Sequence, residues 1–306
     1  MIKFIIGLLL IVGSMFFVSC KSKEKVVDDR DTPTKGMINI SVDESFKPAI
    51  VEQIRVHESS FPQTKINVSY KSEADCFRDL QSDSTRMIIV AKGLSEKEAE
   101  FYKSLLSYKP QYGVLAYDAV AVIVNKDATD SIFSFKDIQE ILSGKQKITA
   151  IMDGKSATST VRYLKDSVLK KGEFGKNVVA SNNSQEVIDI VAKRKDVIGF
   201  VGMSWIGDSY DPKQVAYLQK IRLSRIECTA CLEKNVFAKP SQATITRGEY
   251  PLARPLYYIL KENSAGLGTG FMNFMSMERG QLIFRRSFLA PAKMAFQKRS
   301  GSIKSE

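Results

Sequence analysis

Apolar and polar residues alternate from Ile38 through Ile40 to Val42, and again across Ile66-Asn67-Val68-Ser69-Tyr70, the period-2 pattern of strands with one covered face. Residues 87–90 are instead a continuous apolar run, as expected of a strand buried on both sides, and 119–124 read as a longer strand. Between them the spacing becomes helical over 49–61, 75–81 and 135–142, the last closed by Gly144. Asn183 with Glu186 has the form of an N-terminal cap and its back-bonding partner. Val187, Ile190 and Val191 share the helical face that follows, and 197–201 returns as a strand. This alternation predicts an α/β protein with mostly parallel sheets and helices on both faces.

The first residues break the pattern. Lys3 is followed by an uncharged stretch from Phe4 to Ser19, and then by Lys21, Lys23 and Lys25. The stretch is shorter than the ~20 residues that a bilayer-spanning helix needs, so residues 1–19 read as a secretion signal. Val18-Ser19-Cys20 resembles a bacterial lipobox, in which Cys20 becomes the lipidated first residue, although Phe17 stands where leucine is commonest. The alternative is an ordinary signal with a cysteine at its boundary. Residues 20–36 are polar and lack an apolar period, so they read as a tether, with the folded part starting near Met37. The expected location is the periplasmic side of the cell envelope, held to the membrane by lipid.

Composition narrows the function. At 306 residues, 44% hydrophobic and 26% charged, the chain suits two lobes and excludes disorder, a collagen-like repeat or a membrane bundle. Its only histidine, His57, excludes a His-rich zinc site and would have to carry any His-based triad. Placed beside Glu58 on a helix, it reads as a surface or satisfied helical residue. The formal net charge of +11 would suit nucleic acid, a membrane surface or a small anion. The lysines are nevertheless scattered among acids, as in Ser95-Glu96-Lys97-Glu98, and the C-terminal Arg279, Arg285, Arg286, Lys293 and Lys298 read as a solvated face, so no nucleic-acid partner is expected. Cys228-Thr-Ala-Cys231 has no second pair to complete a zinc site and reads as a structural disulfide or as two small residues. No metal and no cofactor is expected.

Several segments offer polar chemistry. Asp153-Gly154-Lys155-Ser156 ends like a phosphate-binding P-loop, but Thr149 stands where that motif needs its first glycine. The hydroxyl run Ser156-Ala157-Thr158-Ser159-Thr160, with Arg162 and a helical segment behind it, suits either an anion site or the cap of its own helix. Asp43-Glu44-Ser45-Phe46 lies where a strand ends and a helix begins, a position at which α/β proteins bind ligands. Ser167-Val-Leu-Lys170 fits S-x-x-K without the other hydrolase motifs, and Trp205 reads as core or cleft wall.

Asp118-Ala-Val-Ala-Val-Ile-Val-Asn125, Val197-Ile-Gly-Phe-Val-Gly202, Tyr250-Pro-Leu-Ala-Arg-Pro-Leu-Tyr-Tyr258 and the segment around Arg279-Gly280-Gln281 resemble, in order and spacing, the PstS-like periplasmic phosphate-binding proteins of ABC importers. The resemblance implies a two-lobed periplasmic-binding-protein fold of type II, with the ligand in a cleft between lobes joined by crossing strands. Lobe I would comprise 37–117 and 250–306, and lobe II 118–249. The implied role is capture of phosphate or a related oxyanion for an ABC permease in the inner membrane, with no catalysis. The family's first anion loop falls on Ser45 and Phe46 and its second near Ser72. Its third falls on Thr158-Ser159-Thr160, or otherwise on Ser156-Ala157-Thr158.

Two departures stand out. The family's cleft aspartate would follow residues 87–90, where Ala91-Lys92-Gly93 stands, and its cleft arginine is replaced by Ile151 or Gly154. Lys92, Lys155 or Arg162 would then supply positive charge. A fold with altered specificity, used for sensing or protein interaction, is the alternative, with a Ser/Lys hydrolase behind it.

Overall fold

The computed structural model describes residues 31–154 and 158–293; the expected signal peptide, Cys20 and Ser156 lie outside them. In chain order the first elements are β1 (Gly36–Asp43), α1 (Lys47–Ser60), β2 (Thr64–Lys71), α2 (Glu73–Leu80), β3 (Thr85–Val90), α3 (Glu96–Leu106) and the long β4 (Gln111–Asn125). Next come β5 (Ile132–Phe133), α4 (Phe135–Leu142), β6 (Thr149–Asp153), α5 (Ser159–Tyr163), β7 (Val178–Ser181), α6 (Ser184–Lys193) and β8 (Val197–Gly202). The chain continues through α7 (Pro212–Leu218), β9 (Ile221–Leu223), β10 (Arg225–Glu227), β11 (Phe237–Ala238) and α8 (Gln242–Thr246). It closes with β12 (Ala253–Leu260), α9 (Leu267–Ser276), α10 (Glu278–Arg286) and β13 (Ala290–Pro291).

The main sheet runs β2-β1-β3-β12-β4-β8-β6-β7. It is mixed rather than mostly parallel. Its flanks are parallel, β1 with β2 and β3 on one side and β6 with β7 and β8 on the other. Its middle is antiparallel, because β4 carries the chain from one half to the other and β12 brings it back alongside. Residues 111–119 of β4 pair with β12, whereas Val120–Val124 pair with β8.

The apolar runs are explained by two-sided burial. In β3, Met87 and Ile89 enter a core with Ile40, Val42, Leu256 and Phe271, while Ile88 and Val90 enter a second with Leu80 and Tyr102 on the opposite face. A separate core gathers residues 119–124 with Ile138, Val187, Val191 and Phe200. Each such side chain contributes roughly 1.5–3 kcal/mol when fully buried. Helix starts follow their capping residues: Ser95 and Ser134 form reciprocal capping boxes with Glu98 and Asp137. Asn183 accepts from Glu186 N as expected, but the Glu186 carboxylate accepts from Asn182 N instead.

Packed contacts begin ahead of Met37: Asp31 pairs with Arg86 at 2.8 Å and accepts from Leu267 N at 2.7 Å. Cys228 and Cys231 are joined in a disulfide after β10.

His57 is neither the surface residue nor the satisfied helical residue expected of it. It is wholly buried among Phe61, Phe271 and Phe274, with ring centroids 5.0–5.2 Å away. Neither ring nitrogen has a hydrogen-bond partner among the described residues. Burial lowers its pKa to about 4. The unfolded chain therefore takes up a proton that the folded protein refuses, and stability is lost as pH falls from about 6.5 towards 4. Replacing His57 with Leu removes that loss, by roughly 2 kcal/mol at pH 5. Urea unfolding of the two proteins at pH 5 and pH 7.5 checks it; an unchanged stability difference would refute the assignment.

Candidate functional site

Where the two halves of the sheet meet, polar side chains are packed against each other rather than solvated. β1 ends in Asp43, whose carboxylate accepts the N–H of Ser45 at 2.9 Å and starts the 3-10 turn Glu44–Phe46. The same carboxylate reaches across to α5, accepting Ser159 N and Ser159 Oγ, both at 3.0 Å. Thr158 caps α5 and also bonds the carboxylate of Asp153, the last residue of β6, at 3.0 Å. Gly154 follows with φ +82°, a turn conformation that favours glycine.

Asp153 collects hydroxyls from both halves. Its Oδ2 lies 3.2 Å from Ser45 Oγ, 3.4 Å from Thr160 Oγ1 and 2.8 Å from Ser184 Oγ. Ser45 and Thr160 are themselves 3.2 Å apart. Burial and the neighbouring Asp43 raise the pKa of Asp153, against the bonds from Ser184 and Thr158 and the charge of Arg254.

The positive charge comes from Arg254 on β12. Its Nη1 donates to Ser159 Oγ at 3.1 Å and to Thr160 Oγ1 at 3.3 Å. Its Nε and Nη2 fork onto Oδ2 of Asp118, directly opposite it on β4, at 3.1 and 3.0 Å. Both side chains are wholly buried, and the guanidinium lies over the Phe46 ring, 4.9 Å from its centroid. Burial pushes the Asp118 carboxyl up, and Arg254 opposes the shift. Met203 N also donates to Asp118. The Ser45 carbonyl accepts from the Trp205 indole at 3.1 Å, which makes Trp205 part of the cleft wall. That approach requires Gly202, because a Cβ there would lie 2.9 Å from the Ser45 oxygen.

Ser45, Thr158, Ser159 and Thr160 are thus brought together, while Phe46 contributes its ring. Ser72 caps α2 and bonds Asp75. Lys92 pairs with Glu98 at 2.8 Å. Arg162 joins α5 to α2 across the halves through Glu73, with Nη2 3.3 Å from Oε2, and so has its own counter-ion. Among the described residues the cation bonded to these hydroxyls is Arg254, while Lys155, from which charge was also expected, lies outside them. In the sequence Arg254 stands within the Tyr250–Tyr258 string with no role marked; a lone arginine amid strand residues is the signal. Asp43 and Asp153 were likewise visible only as neighbours of Ser45 and of the broken P-loop.

An α/β sheet whose halves are joined by crossing strands, with a polar cluster between them, is the build of a periplasmic-type binding protein. The family model for the PBP superfamily domain matches residues 28–278, and the chain belongs to that family. It is 23% identical over 263 residues to the phosphate-binding protein PstS of Pseudomonas aeruginosa, covering 77% of each chain. It is 21% identical to PstS of Bacillus subtilis, covering 90% of this chain and 89% of the other. Among solved structures, a putative phosphate ABC transporter substrate-binding protein with bound phosphate from Clostridium perfringens has a TM-score of 0.68 at 17% identity, covering 84% of this chain and all of that one. The fold is the two-lobed α/β fold of that class.

Removing the guanidinium leaves Asp118 buried without its counter-ion. Arg254→Met is expected to cost roughly 3–5 kcal/mol, and the double variant with Asp118→Leu to recover most of it. Urea unfolding midpoints read both; a single variant within about 1 kcal/mol of the parent would contradict this account.

Proposed function

We propose that this protein is a solute-binding protein that captures phosphate or a closely related oxyanion for an ABC importer, and that Cys20 anchors it by lipid on the periplasmic side of the envelope. It is a binding protein and not an enzyme, as are its family and its relatives. The observation that carries the reading is the convergence of Ser45 from one half with Ser159, Thr160 and Arg254 on one small volume, beside the carboxylates of Asp43 and Asp153. Hydroxyls and guanidinium donate to oxyanion oxygens; a carboxylate accepts from a protonated one. Asp43 and Asp153 therefore offer the acceptor that Ala91-Lys92-Gly93 lacks, and a fully ionised sulfate would meet them as like charge.

On this reading the protein is stabilised by phosphate at ~100 times its dissociation constant by ~2.7 kcal/mol, and sulfate at equal concentration does far less. Ser45→Ala and Thr160→Ala each remove most of the phosphate effect. Thermal melting of the mature domain checks both claims; retained phosphate stabilisation in both variants would remove these residues from the site.

A second reading has its own support. The Asp43 carboxylate already accepts two backbone N–H groups and the Ser159 hydroxyl, as an oxyanion would, so the halves hold together through an internal anion. A binding fold used for sensing or protein interaction would show no stabilisation by phosphate, sulfate or phosphonates. The anchor is tested separately: Cys20→Ala should shift the protein from the membrane to the soluble fraction and abolish acyl labelling, and unchanged labelling would exclude Cys20.

A further inference from the structure

Glu44, the first residue of the 3-10 turn, has no part in the donor set. One side of it lines a groove of about 810 Å³ bounded by α1, α10 and the segment leading into α7. The other side meets Ser184, whose Oγ lies 3.2 Å from Glu44 Oε2 and 2.8 Å from Asp153 Oδ2. A serine hydroxyl carries one proton and donates to one carboxylate only. For both contacts to be hydrogen bonds, one of the two carboxyls must hold a proton and donate it to Ser184.

The surroundings favour Glu44 as its holder. Four hydroxyls, those of Ser45, Thr158, Thr160 and Ser184, meet the Asp153 carboxylate and favour its ionised form against the burial that raises its pKa. Of these only Ser184 reaches Glu44 among the described residues. Asp43 from β1 and Asp153 from β6 face it as negative neighbours, and burial with those charges raises its pKa to about 7. The cations around the groove are engaged elsewhere. Lys47 and Lys213 lie over the rings of Tyr70 and Tyr217, Arg286 over Tyr210, and Arg55 on Glu52. Asp208 and Asp211 add negative charge on the α7 side. Arg254, the cation that bonds the cluster's hydroxyls among the described residues, is committed to Asp118.

We propose that Glu44, acting through Ser184, is a positioning residue that keeps a proton beside Asp153 and so makes the site prefer a protonated, singly charged oxyanion over its dianion. The proposal rests on the oxyanion reading above. With Glu44 protonated, Ser184 is free to donate to Asp153 and so supports its carboxylate as an acceptor for the ligand's own hydroxyl. Once Glu44 ionises, three carboxylates crowd the position an anion must enter.

The test compares wild type, Glu44→Gln and Glu44→Asp by calorimetric titration with inorganic phosphate from pH 6 to pH 8.5. Glutamine keeps a donor to Ser184 but cannot ionise. Wild type should lose affinity about tenfold more than Glu44→Gln between pH 6 and pH 8, because a required proton is then bound in only a small fraction of molecules. Glu44→Asp should keep the wild-type profile. Comparing proteins at the same pH cancels the ionisation of phosphate itself. Phosphate binding with parallel profiles in wild type and Glu44→Gln overturns this proposal alone. No binding of phosphate by any of the three at any pH overturns the oxyanion reading, and the proposal with it.

The proton is also read without ligand. Folding raises the Glu44 pKa above its unfolded value near 4.5, so wild-type stability declines as pH rises from there through about 7. Glu44→Gln should melt higher than wild type at pH 8, with the gap closing by pH 5. A gap that does not change with pH places no proton on Glu44.

Discussion

Much of the site depends on one buried ion pair. Arg254 and Asp118 face each other across adjacent crossing strands with no exposure to water, an arrangement that is costly unless every donor and acceptor is satisfied. They are nearly satisfied by each other and by the site: two guanidinium nitrogens bond Asp118, the third bonds Ser159 and Thr160, and Asp118 also accepts Met203 N. The pair positions the hydroxyls of α5 against β12, and Tyr163 reinforces this, its hydroxyl 3.0 Å from the Ala253 carbonyl.

Among the described residues, the carboxylates around that pair outnumber the cations. Asp43, Asp153 and Glu44 lie within one or two hydrogen bonds of each other, and Asp118 neutralises the guanidinium of Arg254. A site intended only to attract negative charge would not be built this way. Such a composition suits recognition by exchanged hydrogen bonds, in which hydroxyls and carboxylates can serve both as donors and as acceptors for a partly protonated guest. The overall excess of lysine and arginine contributes a general field, but the local chemistry is set by this cluster.

Much of the fold was legible because it rests on local pattern. The alternation at Ile38, Ile40 and Val42, the apolar run at 87–90 and the cap at Asn183 each express a short-range rule that the structure obeys. The sense of the central strands was not legible, because it depends on where the chain crosses and returns. His57 was misplaced for a related reason: Phe271 and Phe274, which bury it, lie more than two hundred residues away in sequence. In the site, hydroxyls clustered in one segment could be found by reading along the chain. Arg254, Asp118, Asp43 and Asp153 come from four different strands, and only folding brings them together.

The uninterrupted course of β4 has a mechanical consequence. Its partner changes from β12 to β8 between Ala119 and Val120, so one strand belongs to both cores and the join between them is sheet, not loop. Asp118 and Arg254 stand beside that change of partner and are fixed to each other by the sheet itself. Ser45, on the turn beyond β1, has no such strand to hold it to Asp153 and Thr160, and meets them only because the two halves of the sheet face each other there.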